Sequence, residues 1–319
     1  MRETCLEQVY RLARDNERIF FIGSDLGFGT LSKFKAEMPE RFFMEGISEA
    51  HVVGMASGLA LEGKIVYVNT ISTFITRRCY EQVAVDACLH NLKVRLIGNG
   101  GGLVYAPLGP THLAIEDLSI FRAIPNMTIV APADADEMKR LMPLTVDHPG
   151  PIYIRLGKGY DPIVTNDAIP FRIGKALPMR KGRDALLVTT GITLKLALEA
   201  AKELESRGVD AAVLHMPTVK PLDAEALLDQ AGRVRAVVSV EENTILGGLG
   251  GAVAEVLAEA NFNPARRFKR IGIPDVFSDK YGSQANLLDY YGISVPAIVS
   301  TVSGLLDAAP RSGFKSNLL

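Results

Sequence analysis

The chain has 319 residues, 48% of them hydrophobic and 22% charged, with a formal net charge of -1. That is ordinary soluble globular composition; the length suggests about two domains of ~150 residues, and the charge makes no case for a nucleic acid or an anionic membrane. No apolar run reaches the roughly 18 residues of a membrane span, and Cys5, Cys79 and Cys88 are an odd number at no metal-ligand spacing, so a reducing, cytoplasmic setting is expected.

Residues 1–10 read as an amphipathic helix with acidic residues, not a signal peptide. Apolar β-branched runs then alternate with helical stretches: a strand over 19–23, a helix with small residues on one face over 48–61, a strand over 64–68 and a helix over 80–90. A strand over 94–98 leads into the loop Gly98-Asn-Gly-Gly-Gly102, followed by a helix over 116–123, a strand over 128–131, an Asp-capped helix over 134–147 and a strand over 152–155. From 157 to 183 Gly, Pro and Asn punctuate the chain. A second series follows: strands over 185–189, 210–214, 235–240 and 268–272, helices over 194–207, 223–231 and 247–260, and one or two helices over 283–308. The alternation predicts an α/β protein of two consecutive open, mostly parallel sheets with helices on both faces. The expected domains are 1–165 and 185–319, joined by a linker over 166–184.

Little free-standing chemistry is visible. There is no Gly-x-Ser-x-Gly elbow or Walker loop, and the five histidines form no pair at zinc spacing, so no metal site is expected from this chain alone. Gly247-Gly-Leu-Gly-Gly-Ala252 opens a helix after a strand but misses the dinucleotide spacing; a tight turn for close packing is the favoured reading. Glu241-Glu-Asn243 reads as a helix start or a subunit contact. Glu49 is the awkward residue: it lies just ahead of the apolar run Val52-Val-Gly-Met-Ala-Ser-Gly-Leu-Ala60, and burying a carboxylate unpaired costs several kcal/mol or raises its pKa. Phe74 is either core, with solvated arginines beside it, or an aromatic face at a strand end that stacks a flat heterocycle. His112 is either a packing residue at a helix start or an acid–base group.

Four segments in order resemble the transketolase family of thiamine-diphosphate enzymes. Gly23-Ser-Asp25-Leu is similar to its early acidic loop, and Gly46-Ile-Ser-Glu49-Ala-His51 to its glutamate motif. Ser72-Thr-Phe74-Ile-Thr-Arg77-Arg-Cys-Tyr80-Glu-Gln82 is similar to its pyrimidine-contacting segment, and Gly109-Pro-Thr-His112 with Ile115-Glu-Asp117 to a transketolase segment. The second half resembles the family's C-terminal domain. The resemblance implies that Glu49 hydrogen-bonds the pyrimidine ring nitrogen and promotes the tautomer that activates the cofactor. It implies that Phe74 stacks on that ring, that Arg77 (or, in a register one residue on, Arg78) meets its edge, and that Asp25 and Tyr80 belong to the cofactor side. His112 would act at the substrate.

The family's diphosphate is held through Mg²⁺ (or Ca²⁺) by a separate domain carrying Gly-Asp-Gly, which this sequence lacks. The resemblance therefore implies a split enzyme whose N-terminal subunit supplies that domain, in an α2β2 heterotetramer acting on small sugar-type substrates. Its reaction would move a two-carbon ketol or related acyl unit from a ketose-type donor to a carbonyl acceptor. The substrate side departs from the pattern: Leu108 stands where an Asp reads a donor hydroxyl, Gly100 near a substrate-binding His, and Lys158 at a phosphate-binding Arg, while Arg2 matches an early phosphate-contacting Arg. The alternatives are the beta subunit of the first component of a 2-oxo-acid dehydrogenase, a deoxyxylulose-phosphate synthase (usually a single chain), and a non-catalytic or regulatory partner.

Overall fold

The computed structural model describes residues 1–24, 29, 31–157 and 160–307. In the first half β1 (Ile19–Gly23), β2 (Phe42–Met44), β3 (Ile65–Ile71), β4 (Val94–Asn99), β5 (Thr128–Val130) and β6 (Ile152–Arg155) alternate with α1 (Arg2–Asp15), α2 (Ser32–Glu37), α3 (Glu49–Leu61), α4 (Tyr80–Gln82), α5 (Asp117–Arg122) and α6 (Ala135–Asp147). The second half contributes β7 (Leu177–Arg180), β8 (Ala185–Thr189), β9 (Ala211–His215), β10 (Thr218–Lys220), β11 (Ala236–Thr244) and β12 (Arg267–Ile273). Its helices are α7 (Thr193–Ser206), α8 (Ala224–Gly232), α9 (Leu249–Glu259), α10 (Gln284–Tyr290) and α11 (Val295–Asp307).

Two sheets result, a seven-stranded one in the order β10-β5-β6-β4-β3-β1-β2 and a five-stranded one in the order β12-β11-β8-β9-β7. All pairings are parallel except β10 on β5 and β7 on β9, which are antiparallel edges. Central strands such as β4 and β8 are buried along their whole length, as expected of apolar runs covered on both faces. α1 and α6 cover one face of the first sheet; α3, the helical segment 74–89 and α5 cover the other. In the second half α7 and α11 lie on one face, α8 and α9 on the opposite one.

The predicted architecture is found, and the differences are local. β2, β7 and β10 are only three or four residues long, too short for an alternation to register. β7 lies inside the predicted linker and pairs Leu177 with His215; β10 leaves its own half and pairs Thr218 with Val130 in the other sheet. The helix expected over 80–90 begins earlier, because Phe74–Arg78 and Val83–Leu89 are wound as π-helix around the short α4. Such π turns are rare and frequent at functional sites.

The two halves share a core and a buried polar junction. Leu103, Ala106, Leu113 and Ile115, from the segment after β4, pack with α7 and α11. Arg155 Nε and Nη2 donate to Asp117 Oδ2 and Oδ1 at 2.8 and 3.0 Å, and Nη2 also reaches the carbonyls of Ala114 and Glu242. Tyr153 Oη donates to the same Asp117 at 2.7 Å. Gly101 has to be glycine here, since a Cβ would collide with the Arg155 side chain. Nearby, Glu242 accepts from Leu103 N–H (2.9 Å) and Gln284 Nε2 (2.7 Å). Glu241 instead accepts from Leu249 and Gly250 N–H (2.7 and 2.8 Å) and so caps α9, the helix-start reading of that motif. A second link joins buried Glu137 to His215 Nε2 at 3.1 Å.

Two outcomes are expected. Arg155→Met leaves Asp117 buried and uncompensated, and should lower the unfolding free energy by about 3 kcal/mol, read as a urea midpoint shift. Burial raises the Glu242 carboxyl from 4.5 to about 7, against the opposing pull of Arg155 and Gln284. The folded state then holds a proton that the unfolded state has released, so stability falls as pH rises through that window. Glu242→Gln, which can still accept from Leu103, should reduce the fall in melting temperature between pH 5 and pH 8.

Candidate active site

In the first sheet the chain leaves β1 toward β2 on one side and continues through β3 and β4 on the other, so the strand order reverses at β1. The crevice outside the carboxyl ends of such strands is where open α/β sheets bind ligands. Polar residues interrupt the apolar runs there. Ser24 Oγ donates to Thr70 Oγ1 (2.9 Å), and Asn99 Nδ2 donates to Asn69 Oδ1 (2.6 Å) and the Thr70 carbonyl (3.0 Å), all of them buried.

Glu49 sits at the rim of this crevice. After β2, Glu45 and Gly46 N–H bond the Gly23 and Ser24 carbonyls, and the positive φ of Gly46 (69°) turns the chain into α3. Glu49 is the first residue of α3, where the helix dipole favours a negative charge. It is 2% exposed. Its Oε2 accepts from Arg78 Nη1 at 2.5 Å, and its carboxylate has no other hydrogen bond among the described residues.

The π-wound segment separates the two arginines. Arg78 spans Glu49 and the Phe74 ring, its guanidinium carbon 4.5 Å from the ring centroid. Arg77 turns the other way, to Glu116 (Nη2–Oε2 2.8 Å) and the carbonyls of Leu113 (3.0 Å) and Pro110 (3.3 Å). Arg78, not Arg77, therefore meets Glu49, and Arg77 clamps the loop that carries His112. Phe74, half-buried, has its ring 5.3 Å from the His112 ring at 63°. The Thr73 hydroxyl donates to the His112 carbonyl (2.9 Å), and Thr111 Oγ1 lies 2.9 Å from His112 Nδ1. Tyr80 stacks on Phe121 of α5 (6.5 Å, 24°), on the flank of the same segment.

On the other side of His112, Arg2, Gly100 and Leu108 line one cavity of about 300 Å³ with Val104, Tyr105 and Tyr160. Arg2 has no ion-pair partner among the described residues. Three of the five sequence-expected substrate positions thus share a wall and His112 adjoins it; the fifth, Lys158, lies outside the described residues, as does Asp25, expected on the cofactor side.

Residues 1–160 match the family described as transketolase, pyrimidine binding domain, and residues 174–298 match transketolase, C-terminal domain. The chain belongs to the transketolase family. It is 36% identical over 292 residues to the 6-deoxy-6-sulfo-D-fructose transketolase subunit of Clostridium sp. (strain MSTE9), covering 89% of this chain and 91% of that protein. It is 40% identical over 303 residues to 1-deoxy-D-xylulose-5-phosphate synthase 1 of Geobacter sulfurreducens, which covers 93% of this chain but 47% of the synthase. A solved structure titled split gene transketolase, inactive beta4 tetramer, superposes with a TM-score of 0.88 at 36% identity, over 96% of this chain and 97% of that one.

For this transketolase-family site, sequence reasoning passed over Ser24, Asn69, Thr70, Asn99 and Tyr105. The first four had a signal: a polar residue ending an apolar strand run. Tyr105 had none. The clamp role of Arg77 yields an expected outcome. Arg77→Ala should raise amide hydrogen exchange across 109–116 by about tenfold, the loss of ~1.4 kcal/mol of local stability, while exchange in α3 stays as it was.

Proposed function

We propose that this chain is the pyrimidine-binding and C-terminal subunit of a split thiamine-diphosphate-dependent transketolase-like transferase. It moves a two-carbon ketol or related acyl unit from a ketose-type donor to a carbonyl acceptor. The observation that carries the reading is Glu49: a carboxylate 2% exposed, at a sheet switch point, with a half-exposed arginine as its one partner among the described residues. Other buried carboxylates of the chain are held by several donors; Asp134 alone accepts from Asp136, Glu137, Val164 and Thr165. Glu49 keeps capacity for a ligand, and that fits a nitrogen heterocycle.

Thiamine diphosphate, when bound, supplies a thiazolium carbon acid able to add to carbonyl groups. Glu49 would hold a proton toward the pyrimidine ring nitrogen, with Arg78 Nη1 orienting the carboxylate. Phe74 offers a flat apolar face to the ring. The Thr111 hydroxyl engages His112 Nδ1, leaving Nε2 to exchange a proton with the substrate oxygen. Arg2 balances an anionic substrate end. The diphosphate and its Mg²⁺ or Ca²⁺ fall to an N-terminal partner subunit, in an α2β2 assembly. The end-to-end match to a transketolase subunit and to a split-gene transketolase supports that division.

In the reconstituted two-subunit enzyme, Glu49→Gln should lower turnover by about 10²- to 10⁴-fold, the range of a lost acid–base group, with cofactor affinity largely kept. Full activity would exclude the role given to Glu49.

A further inference from the structure

Glu241 caps α9 within its own half, whereas the residues that follow it in β11 reach across to the other. Asn243 Nδ2 donates to Ser119 Oγ of α5 (3.0 Å), and Thr244 N–H donates to the Ile115 carbonyl (2.6 Å). Glu242 accepts the Leu103 N–H at 2.9 Å, its carboxylate oriented by Gln284 Nε2 on the same oxygen at 2.7 Å. The end of β11 thus holds both legs of the loop that carries His112, Leu103 on the way out and Ile115 on the way back. Between them Gly102 and Ala114 close the neck of the loop, each N–H on the other's carbonyl (2.9 and 3.1 Å). Gly102 has a φ of 64°, and a Cβ there would run into the Glu242 carboxyl, so the carboxylate reaches Leu103 only over a glycine. From Leu103 the backbone runs to His112 in three linked turns. Ala106 N–H donates to the Leu103 carbonyl (3.0 Å), Gly109 N–H to the Ala106 carbonyl (3.3 Å), and His112 N–H to the Gly109 carbonyl (3.0 Å). Each turn starts where the one before it ends, so a rotation of the Leu103 peptide is passed on to His112.

We propose that Glu242 is a positioning residue: from the C-terminal half it sets where the His112 imidazole stands between Phe74 and Tyr105. This rests on the acid–base role given to His112 above and deepens it. The Leu103 side chain is packed in the shared core, but apolar contact has no direction and leaves the peptide free to turn. A hydrogen bond has a preferred angle, so the Glu242 oxygen fixes the rotation from which the three turns start. At the far end the imidazole lies 5.3 Å from the Phe74 ring at 63° and 6.5 Å from the Tyr105 ring at 76°. A residue of the second half thereby governs a group of the first without touching it.

The test observes the His112 ring by nuclear magnetic resonance in the full chain, made with isotope-labelled histidine. The Phe74 and Tyr105 rings shift the imidazole protons by amounts set by distance and angle, so a displaced imidazole changes its signals. Glu242→Met fills a similar volume without an acceptor; Glu242→Gln keeps the acceptor without the charge. The methionine variant should move the His112 signals, leave those of His51, His90, His148 and His215 in place, and raise amide exchange across 103–112 by about tenfold. The glutamine variant should keep the signals and the exchange of the unaltered chain. Should Glu242→Met fail to fold, Glu242→Asp, which draws the acceptor back by one methylene, makes the same comparison and should also move His112. His112 signals that stay in place in the variant that folds, that move as far with glutamine, or that move together with those of all the other histidines would overturn the proposal. Because the ring is observed without substrate or turnover, the result stands apart from the chemistry assigned to His112, which turnover of the two-subunit enzyme tests.

Discussion

The buried Asp117–Arg155 pair is the constraint on which the rest of the structure depends. Both side chains are removed from water, and Arg155 spends its donors on Asp117 and on the carbonyls of Ala114 and Glu242. One residue thereby ties β6 to α5, to the end of the His112 loop, and to β11 of the other half. A buried ion pair is weak evidence of net stability, but breaking it is costly, so the geometry it fixes is held firmly. Leu103, Leu113 and Ile115 add the apolar part of the same junction. The loop carrying His112 is thus pinned at its far end by the core, and by Arg77 near its tip.

Against that background Glu49 is the exception. Asp117, Asp134, Glu241 and Glu242 are each held by two or more donors from this chain. Glu49 is as deeply placed yet, among the described residues, its carboxylate is held by Arg78 alone, an arginine 45% exposed. A buried carboxylate with so few donors from its own chain calls for an explanation, and a ligand is the one proposed. Its neighbours agree in kind: an aromatic face at Phe74, an imidazole at His112 with one nitrogen engaged, and a cavity lined by Arg2, which has no ion-pair partner among the described residues. Asp117 and Glu242 thus serve the junction of the halves, Asp134 and Glu241 hold local segments, and among the described residues the less saturated charges lie at the crevice.

The parallel sheets were legible in the sequence because buried strands print as continuous apolar runs, and Ile19–Gly23 or Ala185–Thr189 need no tertiary information. Glu49, Phe74 and His112 could be singled out because each residue type sat oddly in its local pattern. Which of Arg77 and Arg78 turns toward Glu49 could not be read from the sequence, because counting along a helix assumes 3.6 residues per turn and Phe74–Arg78 is wound as π-helix. Tyr105 was invisible for a different reason: its place depends on a positive φ five residues earlier, at Gly100. Arg155–Asp117 and Glu137–His215 join residues 38 and 78 positions apart, and nothing local announces such pairs. β7 and β10 are edge strands whose partners, not their own residues, define them.

The account's central claim is that this chain holds the activating half of a cofactor site that a second chain completes. Calorimetric titration of thiamine diphosphate with Mg²⁺ tests it most directly, into this chain alone, into its N-terminal partner alone, and into the mixture. The account predicts tight binding in the mixture and at least 100-fold weaker binding to this chain alone. Equally tight binding to this chain by itself would contradict it.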